Sequence, residues 1–214
     1  MMCLKMKRFH YGAWVAALIA LVTAACNGSD EAKADRLAGQ GKTGEAIALY
    51  ERAIEDGSLE AINKLALLYS NNLQPEKAKE YYHMAHEKGD RKATAYLANT
   101  SLKDHNYDDV VTYLKPLVDD GDTTQVYPLG WAYVELGRYE DAVACLLKNK
   151  DNVYVKGILG TAYYELDDLE QAEAVWKSAV NDHSSGGVNS YNKLLELYCE
   201  QGRTEDYEAL EGRY

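Results

Sequence analysis

The hydrophobic pattern says the same thing twice between Leu129 and Ala179. Leu129, Gly130, Tyr133, Leu136, Tyr139, Ala142, Leu146 and Asn149 are followed thirty residues later by Leu159, Gly160, Tyr163, Leu166, Leu169, Ala172, Trp176 and Ala179. Within each copy, steps of three and four put the large side chains on one helix face. Leu136-Gly137-Arg138 and Leu166-Asp167-Asp168 break the pattern as tight turns. Each copy is therefore predicted to be a helix–turn–helix hairpin. Gly130 and Gly160 on the first helix should face Ala142 and Ala172 on the second, where larger side chains would part the pair.

The register continues in both directions. Ala46, Ala78, Val110, Ala142 and Ala172 are separated by 32, 32, 32 and 30 residues, and four residues after each comes Tyr50, Tyr82, Leu114, Leu146 or Trp176. Leu65, Leu97, Leu129 and Leu159 lie thirteen before the last four of these small positions, and Tyr69, Ser101, Tyr133 and Tyr163 lie nine before. Gly57, Gly89 and Gly121 mark the seams, as glycine does just past a helix where the backbone turns left-handed. A sixth, degenerate hairpin follows at Leu194, Leu195, Tyr198, Gly202 and Tyr207, after Ser184-Ser185-Gly186-Gly187, which reads as a looser joint. Pro75 falls at the head of a second helix, where its missing N–H costs nothing. Pro116 falls inside 108–118 and predicts a kink or an early end. The expectation is an all-α chain of about five to six stacked hairpins over residues 31–214.

This pattern resembles the tetratricopeptide repeat. The first units, with Ala-x₃-Gly at Ala53–Gly57 and Ala85–Gly89, are more similar to its relative, the SEL-like repeat. Helical repeats of another family are the structural alternative. The resemblance implies a right-handed α-solenoid whose concave trough, lined by the first helices, holds a partner's peptide or helix. Poorly matching end units are expected, since each has one neighbour to pack on and must face water.

Helical geometry then picks the trough residues, because neighbours at three and four share a face. They are Asn63, Lys64 and Leu67; Tyr96 and Asn99; Tyr127 and Trp131; Tyr154, Ile158 and Tyr164; and Asn192 and Lys193. Trp131 lies opposite the contact made by Gly130, where packing gives no reason for so large an apolar group. Asn63, Asn99 and Asn192 recur beside the aromatics, and an amide both donates to and accepts from a peptide backbone. The bland alternative is that a chain with 18 tyrosines puts them everywhere.

The first 25 residues read as an address rather than as part of the fold. Lys5, Lys7 and Arg8 precede an apolar stretch from Gly12 to Ala25. That stretch is shorter than the ~20 residues of a spanning helix, so a cleaved signal peptide is expected. Met6 offers a second start, leaving open whether residues 1–5 belong to the protein. Thr23-Ala24-Ala25 before Cys26 resembles the lipobox of bacterial lipoproteins, with Thr23 where leucine is commonest. The resemblance implies that Cys26 opens the mature chain and carries the lipid. Asn27 in place of aspartate implies the periplasmic face of the outer membrane. An ordinary secreted, soluble periplasmic protein with a free cysteine is the alternative. Residues 26–30 would be a short tether.

Charge narrows the partners. The chain holds 23 Lys+Arg against 34 Asp+Glu, a net of −11. Loss of residues 1–25 removes three cations and no anion, so the remainder has 20 against 34, a net of −14. Nucleic acid is not an expected partner, because phosphate binding needs a basic face. The body should stand off anionic headgroups, with the membrane contacted through the anchor alone.

No phosphate loop, nucleophile elbow or His-Glu-x-x-His occurs, and no cofactor or enzymatic activity is expected. His83 and His86 are three apart but have no indicated third ligand. Asp119-Asp120-Gly121-Asp122 lacks the spacing and closing glutamate of a calcium loop. Cys145 falls on the fourth unit's second helix and Cys199 on the sixth unit's first, with a unit between them, too far for a disulfide to be expected. The function implied by resemblance is a membrane-anchored periplasmic scaffold or adaptor for envelope assembly, as in pilus or secretin biogenesis or recruitment of cell-wall enzymes. An immunity or inhibitor lipoprotein that neutralises a secreted toxin is the alternative.

Overall fold

The computed structural model describes residues 29–211, so residues 1–25 and Cys26 lie outside it. Two compact units meet the eye, divided after Asp90. The first contains α1 (Asp30–Gly39), α2 (Thr43–Glu55), α3 (Leu59–Asn71) and α4 (Pro75–Glu87). The second contains α5 (Arg91–Lys103), α6 (Tyr107–Asp119), α7 (Val126–Glu135), α8 (Tyr139–Leu146), α9 (Val153–Glu165), α10 (Leu169–Lys177), α11 (Ser185–Glu200) and α12 (Thr204–Glu211). Short 3₁₀ turns at Thr123–Gln125 and Leu147–Asn149 flank α7 and α8. Among the described residues there are six helical hairpins and no strand, an all-α architecture. No described helix is long and apolar enough to cross a membrane.

Local chemistry explains the punctuation. Ser58, Asn106, Asn152 and Asp168 accept a hydrogen bond from the first turn of α3, α6, α9 and α10, relieving orphan N–H groups. In each hairpin the turn between helices has one left-handed residue: Gly41, Leu73, His105, Gly137, Asp167 or Gly202. The N–H of the following residue then reaches back five positions, as Arg138 does to Tyr133 O at 2.8 Å and Asp168 to Tyr163 O at 2.9 Å. That bond closes the helix end. Leu73, His105 and Asp167 hold this conformation against the Cβ clash that glycine avoids.

The positions assigned to the interior by spacing are interior. Ala46, Ala78, Val110, Ala142 and Ala172 are all 0% exposed. Leu65, Leu97, Leu129 and Leu159 are buried as well, as are Tyr50, Tyr82, Leu114, Leu146 and Trp176. In the first unit the interior is mostly alanine and tyrosine. In the second, leucine, valine and Trp176 fill it.

Three expectations are corrected. A Cβ on Gly130 would overlap Leu146, and one on Gly160 would overlap the Trp176 indole, so these glycines face the large residue one turn beyond Ala142 and Ala172. The notch accommodates bulk rather than matching small with small. Pro116 neither breaks nor ends α6, which runs on to Asp119. It sits in the last turns, where one lost hydrogen bond is offset by buried Leu114, Leu117 and Val118 around it. Ser184–Gly187 is not a loose joint. Gly186 and Gly187 are buried inside the first turn of α11, and a Cβ on Gly187 would strike the Asp182 carbonyl.

Candidate functional site: the outward face of α7, α9 and α11

In the second unit the first helices α7, α9 and α11 lie side by side, and small residues let them close. Gly157 on α9 faces the amide of Asn189 and the backbone of Gly186 on α11. Buried Ser190 donates to Gly186 O at 3.0 Å. Trp176, 1% exposed, enters from α10 and donates its indole N–H to Gly157 O at 3.1 Å. The Thr161 hydroxyl donates to the same carbonyl at 3.1 Å. With the inner face thus packed, side chains between these contacts must point outward.

An aromatic row occupies the outward face. The Tyr127 ring lies 6.2 Å from Trp131 on its own helix and 6.1 Å, edge-on, from Tyr154 of α9. Tyr127 and Ile158 lean on the core from its rim. Trp131 reaches past it, and its indole N–H donates to Glu135 Oε1 at 2.9 Å. Tyr154 is 44% exposed. Burial pushes the Tyr127 phenol above its ordinary range, so it stays a neutral hydrogen-bonding group. Such partly packed rings, apolar in body and polar at the tip, suit a protein contact.

The face continues onto α11. Thr161, Tyr164, Glu165, Lys193, Glu196 and Glu200 rim a depression of about 160 Å³ floored by Trp176 and Leu197. Tyr164 donates to Glu200 Oε2 at 2.7 Å. That bond, with burial second, raises the Tyr164 phenol. Lys193 is paired with Glu196 at 2.7 Å. Asn192, next to it, is exposed.

The remaining trough residues are placed elsewhere. Tyr96, half-buried, and Asn99, exposed, are on α5 of the second unit. Asn63, Lys64 and Leu67 are on α3 of the first unit. There Asn63 donates to Asp90 at 2.8 Å. Lys64 bridges Glu31 and Asp35 of α1, each at 2.9 Å. The Lys64 hydrogen bond holds Glu31 below the usual carboxylate range, and the two carboxylates raise the lysine. Leu67 is 52% exposed. None of the twelve is buried, and within the second unit ring contacts join Trp131, Tyr127 and Tyr154 across α7 and α9.

Sequence reasoning missed the carboxylates of that face. Glu135, Glu165 and Glu200 are each the last residue of a first helix, two before the left-handed turn residues Gly137, Asp167 and Gly202. That fixed offset was a readable signal. Cys145 and Cys199 are both free thiols. Burial pushes Cys145 up to about 11, and it donates weakly to Val126 O, so it is an inert packing group.

Comparison with known proteins bears on the same helices. Tetratricopeptide-repeat models match residues 127–148 and 154–177, the α7/α8 and α9/α10 hairpins. These two hairpins are tetratricopeptide repeats. Solved structures share the repeat fold. The C-terminal part of a TPR repeat-containing protein from Cytophaga hutchinsonii aligns with a TM-score of 0.67 at 13% identity, over 92% of this chain and 87% of that one. YrrB, described as a TPR protein with an unusual peptide-binding site, aligns at 0.61 and 16% identity, over 81% and 96%. MamA from Desulfovibrio magneticus RS-1 aligns at 0.60 and 17% identity, over 72% and 89%. No curated protein matches the sequence.

Proposed function

We propose that this tetratricopeptide-repeat protein is a non-catalytic, protein-binding scaffold that takes a partner's peptide or helix on the α7–α9–α11 face. The observation that carries this reading is the row Trp131–Tyr127–Tyr154, large rings held in ordered contact, the first two half-buried and Tyr154 exposed. Packing alone gives Trp131 no reason to be there. The peptide-binding site named for YrrB supports the same use of the fold. With the lipobox-like segment before Cys26, we place the scaffold on a lipid anchor at the periplasmic face of the outer membrane. Its work there is envelope assembly, of the kind that pilus or secretin biogenesis or cell-wall enzyme recruitment requires.

A second reading, an inhibitor of a secreted toxin, draws on the net charge of −11, which suits a basic target. Crosslinking in intact envelopes followed by identification of the captured protein separates the two. An assembly component is expected, and capture of a toxin domain would replace the first reading with the second.

Trp131→Ala should weaken binding of the captured partner by about 2 kcal/mol with far less loss of stability. Equal losses would place Trp131 in the core and remove the site. Cys26→Ser should move the protein from the membrane to the soluble periplasmic fraction. Retention of that variant in membranes, with no acyl mass on the wild type, would overturn the anchor.

A further inference from the structure

The chemistry of this face selects a class of partner, an inference that rests on the docking reading above. Three successive first helices, α7, α9 and α11, end on glutamate: Glu135, Glu165 and Glu200. The negative end of the helix macrodipole disfavours a carboxylate there. The other first helices avoid it, with α1 ending on Gly39, α3 on Asn71 and α5 on Lys103. The Trp131 indole and the Tyr164 phenol, which donate to Glu135 and Glu200, are neutral. Glu165 meets the Tyr139 phenol, neutral as well, and raises it. The charges are thus oriented but not compensated. Lys193 is the lysine on the rim of the depression, and Glu196 already holds it. Lys156 of α9 turns away, towards Ser178 O.

We infer that the segment held here is basic: a stretch in which Lys or Arg stands beside apolar residues. Its apolar residues lie on Trp131, Tyr127 and Tyr154. Its cationic head enters the depression between α9 and α11, where Glu165 and Glu200 supply charge and the Tyr164 ring supplies a π-face. The floor of Trp176 and Leu197 receives the methylene stem. A cation at this point answers both the carboxylates and the adjoining helix C-termini, an arrangement that an acidic or neutral segment would leave unmatched. A second copy of this chain, net −11, fits the face poorly.

The test is selection of random displayed peptides on the immobilised full chain, followed by affinity measurements on the recovered sequences. Recovered peptides should combine Lys or Arg with an aromatic or long aliphatic residue. Their affinity should fall roughly tenfold for the isosteric Glu165→Gln/Glu200→Gln variant and fall again as salt is raised. Recovery of acidic or uncharged peptides, or equal affinity for wild type and the double variant, would overturn the basic-partner inference. If Trp131→Ala still weakened those peptides, the docking face itself would stand. Equal recovery on wild type and on Trp131→Ala would overturn the face and this inference with it.

Discussion

Asn63 and Leu67 of α3 occupy the same register as Tyr127 and Trp131 of α7, two residues before and two after the repeat leucine, Leu65 or Leu129. Their surroundings differ completely. In residues 30–90 the polar side chains on the outward face of the first helices are satisfied within the unit, while Leu67 stays exposed. Asn63 is tied to Asp90, and Lys64 to Glu31 and Asp35, with the Tyr50 hydroxyl and Ser58 hydroxyl completing those carboxylates at 2.7 and 2.9 Å. In residues 91–211 the corresponding face carries aromatic rings and carboxylates that no cation answers apart from Lys193 on Glu196. One hairpin pattern therefore supports a self-satisfied surface in one unit and an unsatisfied one in the other. Shared fold says nothing of which; the side chains around the repeat leucine and the partners that neighbouring helices bring them decide it.

The sharpest break of this comparison is at Trp176, whose indole supports the α9 end of the outward face from beneath. Trp176→Ala should cost about 3–5 kcal/mol, as large aromatic core truncations do, and should abolish binding along with stability. Hydrogen exchange should show protection lost first across α9, α10 and α11. Full protection of those helices in the variant would mean that the face does not depend on the buried indole.

Acid should act on the second unit through Glu173. Arg203 grips it with both terminal nitrogens, at 2.7 and 3.0 Å. Against the opposing effect of burial, Arg203 first, then Lys177 and Tyr198, lower it from about 4.5 to about 2. A carboxylate with a depressed value contributes stability that is present above about pH 4.5 and is lost as pH falls towards 2. The loss should be on the order of 2 kcal/mol, read from denaturant midpoints across that window. Glu173→Gln should be less stable at neutral pH and flatter with pH. A Gln variant with the wild-type pH profile would show that the link between α10 and the head of α12 is not what titrates.

The smallest expected effect sharpens the contrast from the other side. Lys64→Met should cost about 1 kcal/mol, since its ion pairs are only partly shielded from water. It should leave binding of any partner of the second unit unchanged. A loss of binding equal to that of Trp131→Ala would extend the site into residues 30–90.

Much of the fold was legible because helix packing is periodic. A step of three or four marks a buried face, and the recurrence of Leu65, Leu97, Leu129 and Leu159 at fixed offsets from the small residues located every hairpin between them. Left-handed residues were legible at Gly57, Gly89, Gly121 and Gly137 but not at Leu73 or His105, where the chain bears the conformation without the residue that announces it. Of the candidate face, the outward aromatics could be picked by register. Lys64 could not be told from Lys193, because only the packed structure shows that Lys64 is held across helices by Glu31 and Asp35 while Lys193 is held along its own helix by Glu196.

By itself, then, the sequence determined the class of element, the hairpin period, the interior positions and the acid balance, all properties of local spacing and composition. Three things waited for the tertiary structure: that Gly130 and Gly160 make room for Leu146 and the Trp176 indole, that Gly186 and Gly187 pack as helix rather than hinge, and that Glu165, Glu196 and Glu200 converge with Tyr164 on one depression. Each is a contact between elements up to some forty positions apart, as between Gly157 and Asn189 or Tyr164 and Glu200. Periodicity tells a residue which way it faces along its own helix, but only the packed neighbour decides what it meets there.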